Sequence, residues 1–227
     1  MVIRQRAVHS EDKQERHHAI LDAAERLLER APERVANVAE VADEAGLAKG
    51  TVYLYFPSKD ALLLAVHERR VDEFFRALCL LLASTAPPVR LEAIIALMRE
   101  HIIERPTFLP LATRCFGVVQ ADVPRETALA FRARMIERLA TAGAGIERHF
   151  SELPPGRGVA LLRHSYALIV GLWQMSANAD ELEAGGNVCA VGRLDYPREL
   201  DRALRALWEG TIGRRLARAD AAAAEIL

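Results

Sequence analysis

Cysteine is scarce: Cys79, Cys115 and Cys189 are the only three in 227 residues. They are odd in number and far apart, which excludes a disulfide framework and the paired spacing of a zinc or redox motif. Reduced, structural thiols in apolar surroundings remain. No run of 18 or more apolar residues is free of charge, so no membrane-spanning helix and no membrane partner are expected. The first residues lack the basic-then-apolar order of a secretion signal, and a cytoplasmic location follows as the expectation. Phosphate loops, nucleophile elbows and metal-binding helix motifs are missing too, so neither a cofactor nor a metal is expected. An enzyme would have to rest on Cys115 with His101, or on a serine with His164, brought together by folding. Excess positive charge is also lacking. The formal net charge is −1, and through residue 60 nine Lys or Arg face eleven Asp or Glu, so any nucleic-acid reading rests on where charges lie.

What is there is helical period punctuated by turn residues. With 51% hydrophobic content the chain can bury one large core, or a small and a medium one. The stretch from Asn37 to Lys59 carries the most information. Asn37 can cap a helix running to about Ala45, and Glu40 three residues on completes a box-like start. Gly46 sits where a chain leaving a helix needs a left-handed residue. A second helix, roughly Lys49 to Tyr55, is too short to stand without packing. Val52 and Phe56 point inward, near Val41 and Leu47, leaving Lys49, Gly50, Thr51, Tyr53 and Tyr55 outward or along the edges. Two short helices about a glycine turn make a helix-turn-helix over about 37–56, whose second member enters the DNA major groove by its N-terminal end. Gly50 there permits close approach of backbone to base edges. The candidate DNA-contacting set is Asn37, Ala39, Ala48, Lys49, Gly50, Thr51, Tyr53, Tyr55 and Lys59. A small helical hairpin of other purpose fits the same pattern. The acids Asp22, Glu25, Glu29 and Glu33 fall on the first helix, whereas Lys49 and Lys59 bracket a segment without acid, which predicts a real but shallow salt dependence.

From Ala42 to Leu62 the order Ala-Gly-Leu-Ala-Lys-Gly-Thr-Val-Tyr-Leu-Tyr-Phe-Pro-Ser-Lys-Asp-Ala-Leu, beginning at Ala45, resembles the signature of tetracycline-repressor (TetR) type regulators. With the preceding helix the likeness covers about a quarter of the chain, and Gly46, Lys49 to Thr51, Tyr53, Tyr55, Phe56, Ser58 and Lys59 carry it. It implies an all-helical homodimer that represses transcription at a palindromic operator until a small molecule binds its C-terminal domain. Two positions depart from that pattern. Ala48 stands where the family usually has Ser or Thr, removing a cap or phosphate contact, and Ala31-Pro32 ends the first helix where glycine is usual.

The rest of the chain gives an all-α reading: an N-terminal three-helix domain over 13–73 and a helical effector-binding and dimerisation domain over 84–227. Residues 1–12, with Arg4 and Arg6, read as a flexible arm. Ser10 is expected to cap a helix from Glu11 to Arg30 whose stripe is Ile20, Ala24, Leu27 and Leu28. His17 and His18 read as solvated. Ser58 caps a long linking helix, and Pro87-Pro88 marks its end. Further helices are expected over Leu91 to Glu104, between Pro106 and Pro110 and beyond, and from Pro124 onward with Gly143 and Gly145 bending or loosening it. The segment from Val159 to about Asn178 is apolar nearly all round and must be buried on more than one side. After Gly185 and Gly186 a last helix places Leu200, Leu204, Leu207, Trp208, Thr211 and Ile212 on one stripe. The resemblance implies a dimer through these last two helices; closing the monomer core is the alternative.

Candidate ligand-contacting residues are Met98, His101, Phe108, Cys115, Phe116, Phe131, Met135, Tyr166 and Trp173, with Arg114, His164 and Gln174 as further orienting groups. They suit a small, apolar or aromatic effector. A helical dimer that binds a small molecule or a partner protein without DNA would keep these features but has no use for the pattern from Lys49 to Lys59.

Overall fold

The computed structural model describes residues 2–32, 34–84, 89–118, 122–184 and 195–224, and the described residues contain helices and turns but no strand. The helices are α1 Val2–Arg30, α2 Val38–Glu44, α3 Lys49–Tyr55, α4 Lys59–Ala83, α5 Leu91–Met98, α6 Phe108–Val118, α7 Arg125–His149, α8 Arg157–Ala184 and α9 Tyr196–Ala224. By contact the chain falls into two compact units, residues 1–72 with 105–132 and residues 73–104 with 133–227. No described helix is long and apolar enough to cross a membrane.

The first unit is built on α1, and α1 is longer than its amphipathic part. The arm expected over 1–12 is helical from Val2, so Ser10 lies inside the helix and caps nothing at its start. Gln5, Arg6 and Ala7 favour helix and no Gly or Pro intervenes, so adding turns to an already formed helix costs little. Ile20, Leu21, Ala24 and Leu28 are buried in one core with Val38, Val41, Val52, Phe56, Leu62 and Val66. Leu111 and Cys115 of α6 and Val123 before α7 belong to the same core. Residues 105–132 therefore group with the N-terminal helices and not with the rest of 84–227. Apolar periodicity gives the face a helix buries, but it does not give the partner.

In the second unit Phe74, Leu78, Ile94, Met98, Ile146, Leu161, Ile169, Leu200, Leu204 and Trp208 are buried. The indole nitrogen of Trp208 donates to the Ser165 hydroxyl at 2.8 Å, so neither polar group is stranded in the core. The helix expected over Leu91 to Glu104 changes pitch: after Met98 it widens into a π turn over Arg99–Ile103, closed by the Glu104 amide donating to the Arg99 carbonyl at 2.8 Å. Pro110 lies within the first turn of α6, where a missing amide proton removes no helix bond.

Gly143 and Gly145 of α7 are both sites of close packing. A methyl group at Gly143 would lie 2.6 Å from Val159, one at Gly158 would lie 2.2 Å from the Gly143 carbonyl oxygen, and one at Gly145 would lie 2.9 Å from Leu82. Gly143 and Gly158 let α7 and α8 meet almost backbone to backbone, and Gly145 makes room for Leu82 of α4. On α8, Leu161, Leu162, Ser165 and Ile169 are buried, whereas Leu168, Val170, Leu172 and Trp173 are half-buried and Met175 is exposed. The single chain thus covers only one side of a helix that is apolar on several.

Candidate nucleic-acid interface

Both ends of α2 are closed by local hydrogen bonds. The Asn37 side chain accepts from the amides of Ala39 at 2.9 Å and Glu40 at 3.1 Å, while Glu40 accepts from the Asn37 amide at 2.7 Å. Arg34 donates to Glu40 at 2.9 Å. That bond, with the one from the Asn37 amide, holds the Glu40 carboxyl at about 2, well below the usual range. At the other end of α2, Gly46 has φ 67°. The Leu47 amide donates to the Ala42 carbonyl at 2.9 Å and the Gly46 amide to Asp43 at 3.1 Å, the two bonds of a left-handed glycine stop. The turn delivers the chain directly to Ala48, the N-cap of α3, which supplies no side-chain bond.

Seven residues at 100° per residue give α3 four rows. Val52 and Phe56 form the buried row, at 0% and 4% exposed. Thr51 and Tyr55 flank it half-buried. Lys49 with Tyr53, and Gly50 with Leu54, form two adjacent rows open to solvent. Leu54 is 83% exposed and Tyr53 42%. A methyl group added at Gly50 would meet nothing within 4 Å. Of the expected contact set, Lys49, Gly50 and Tyr53 share this open face. Tyr55 packs partly against the core, Asn37 is committed to capping, and Ala39 is half-buried. Lys59 is exposed at the start of α4, its ammonium group 3.4 Å from the Val35 carbonyl, beside the Ser58 hydroxyl that caps Ala61 at 3.0 Å. Leu54 is absent from the expected set because an apolar residue in a short helix reads as core; its place four residues after Gly50 is the signal that finds it.

Asp22, Glu25 and Glu29 of α1 are matched inside the unit. Arg69 pairs with Glu25 and, at 2.5 Å, with Asp22; Arg70, almost fully buried, pairs with Glu25 at 3.0 Å and Glu29 at 2.9 Å. Glu44 of α2 pairs with Arg30 and, at 2.8 Å, with Arg26, which lowers its carboxyl pKa. Asp22, Glu25, Glu29 and Glu44 are thus each held by an arginine of the same unit. Glu33 lies outside the described residues. His17 is not solvated: it is half-buried, its ring centroid 4.9 Å from that of Phe56 and 6.5 Å from that of Tyr55. Burial, then the neighbouring His18, pushes its pKa down.

The expected ligand set divides between the units. Phe108, Cys115 and Phe131 fall in the first, and Met98, His101, Met135, Tyr166 and Trp173 in the second. Of Phe116 only its place on α6 is described, and Cys189, Gly185 and Gly186 lie outside the described residues. In the first unit Phe108 and Phe131 flank a residue the sequence reading passed over, His67 of α4, at 5.4 and 6.4 Å between ring centroids. His67 is buried, its Nδ1 has no hydrogen-bond partner, and burial pushes its pKa down to about 4. Cys115 is buried as well. Burial, reinforced by the charge of Asp60, raises its thiol to about 12, so it is protonated and unfit as a nucleophile. In the second unit Met98 is buried, and His101 sits in the π turn with a buried Nδ1 lacking a partner.

Comparison with known proteins agrees with this geometry. The family described as "Bacterial regulatory proteins, tetR family" matches residues 20–66, and "Tetracyclin repressor-like, C-terminal domain" matches residues 68–215. The HTH-type transcriptional regulator EthR of Mycobacterium tuberculosis is 44% identical over 64 residues, 28% of this chain and 30% of that relative. The fatty acid metabolism regulator protein of Bacillus subtilis is 31% identical over 62 residues, 27% of this chain and 32% of that protein. The likeness thus spans under a third of the length of either relative. Among solved structures, a TetR-family regulator from Mesorhizobium loti superposes with a TM-score of 0.50 at 16% identity, over 86% of this chain and 95% of that one. A TetR/AcrR family member superposes with a TM-score of 0.53 at 17% identity, over 86% and 99%. At such identities the superpositions speak for the fold alone.

Proposed function

We infer the function from the premise that this chain belongs to the tetR family of bacterial regulatory proteins, whose two family domains together match nearly its whole length. It is a transcriptional regulator in the cytoplasm that binds a palindromic operator as a homodimer and represses until a small, apolar or aromatic effector releases it. The observation that carries this reading is the open face of α3. A helix of seven residues keeps Val52 and Phe56 in the core and leaves Lys49, Gly50, Tyr53 and Leu54 exposed to solvent. A helix of that shape, delivered by a left-handed glycine turn, fits the major groove.

The half-exposed apolar side of α8 supports dimerisation through α8 and α9, since a second copy would cover what one chain leaves open. For the effector, Met98, His101, Met135, Tyr166 and Trp173 supply an apolar and aromatic set with few polar groups, and the orphan Nδ1 of His101 offers one point of orientation. The test uses duplexes retained by the full-length protein from a random-sequence pool. Lys49→Ala and Tyr53→Ala are expected to abolish retention while leaving the mass in solution at that of a dimer. Undiminished retention would remove α3 from the interface, and a monomer mass for the unaltered protein would remove the palindrome.

A further inference from the structure

Leu54 is exposed to 83% on a helix whose other aliphatic side chain, Val52, is fully buried, so the packing of the chain gives no reason for an isobutyl group there. Its surroundings point outward. Leu54 stands one turn beyond Gly50, where a Cβ would meet nothing within 4 Å, so this row consists of bare backbone followed by a single apolar tip. The adjoining row is Lys49 and Tyr53, a cation and a phenol. Polar side chains discriminate base edges by donors and acceptors, but an aliphatic tip can discriminate only shape and hydration. The major groove offers it one apolar group, the C5-methyl of thymine.

We propose that Leu54 reads the methyl group of one thymine in each operator half-site, with Gly50 letting the backbone approach closely enough for the contact to form. The proposal rests on α3 being the DNA-reading helix and adds to it a specificity-determining residue. Burying one methyl group from water predicts a loss of about fourfold in affinity per half-site when that methyl is removed. Leu54 lies outside the core, so shortening it leaves the fold intact, and Leu54→Ala is a clean variant.

The test replaces thymines of a selected duplex, one symmetric pair at a time, with deoxyuridine, which deletes the methyl and preserves every hydrogen-bonding group. For the unaltered full-length protein one pair is expected to weaken binding about sixteenfold, the product of two half-sites. Leu54→Ala is expected to bind the thymine and deoxyuridine duplexes equally, near the unaltered protein's affinity for the latter, with an unchanged unfolding temperature. Discrimination that persists in Leu54→Ala, or its absence at every thymine for the unaltered protein, would overturn the contact while leaving α3 as the reading helix. Leu54→Ala binding every duplex as tightly as the unaltered protein would assign the exposed tip to a protein partner and overturn it too. Failure of the unaltered protein to retain any duplex would sink the contact together with the DNA-binding reading itself.

Discussion

The imidazole of His17 lies 4.9 Å, centroid to centroid and tilted by 36°, from the ring of Phe56, the residue whose amide closes α3 by donating to the Val52 carbonyl at 2.9 Å. The first helix thus braces the end of α3 through His17, against Phe56 and Tyr55, and burial lowers the imidazole's pKa because water is kept from it. His17→Ala is expected to cost about 1 kcal/mol of stability, the worth of an aromatic pair, and to weaken DNA binding by a larger factor, since a frayed α3 must be reordered on the duplex. His17→Phe restores the ring without the charge and is expected to recover most of both. Urea unfolding and duplex titration on the two variants check it.

His67 predicts a pH dependence with a definite sign. Its pKa falls from 6.5 in the unfolded chain to about 4 in the folded one, because burial disfavours the imidazolium. The unfolded state therefore binds the proton first as pH drops, and stability present above pH 6.5 is lost progressively down to about pH 4. The total is about 3 kcal/mol at full protonation. In His67→Leu this component is absent, so the difference in unfolding free energy between the two proteins should shift toward the variant between pH 7.5 and 4.5, by urea unfolding. A difference that stays constant with pH would contradict it.

Asn37→Ala removes the acceptor for two amides at the start of α2 and is expected to cost about 1 kcal/mol. Asn37→Asp keeps an acceptor at the same atom and should cost little. Because Arg34 and the Asn37 amide hold Glu40 ionised down to about pH 2, the difference between the Ala and Asp variants should persist in mildly acidic buffer. Thermal unfolding of the pair at two pH values measures this.

Gly158→Ala places a carbon 2.2 Å from the Gly143 carbonyl oxygen, a distance no repacking of a flexible side chain relieves because the obstacle is backbone. The helices must part, so the variant is expected to lose about 3 kcal/mol or more. The same mutation on an exposed helix would be stabilising, so the sign of the change in unfolding temperature decides whether α7 and α8 meet as described.

Much of the helix-turn-helix is legible in the sequence because its determinants are local. The Asn37 and Glu40 box, the left-handed Gly46 and the burial of Val52 with Phe56 each depend on residues within four positions of one another, and the structure contains all three. What is not legible depends on partners distant in sequence. The close packing of Gly143 is seen only with Gly158 and Val159 against it, and His67 draws notice only where Phe108 and Phe131 flank it. The π turn after Met98 leaves no mark in a periodicity that tolerates one extra residue. Leu54 was hidden for the opposite reason, since an aliphatic residue is presumed inside until its surface is measured.

The pairing of Arg69 and Arg70 with Asp22, Glu25 and Glu29 separates two sensitivities to ionic strength. Arg70 and Glu25 are shielded from solvent, with side chains 9% and 13% exposed, so dissolved ions reach that linkage poorly. Lys49 and Lys59 stand in the open, where on the proposed reading an electrolyte would compete with them for phosphate directly. Rising salt should therefore strip the protein from its operator while the scaffold that carries α3 stays folded, and the process should reverse on dilution.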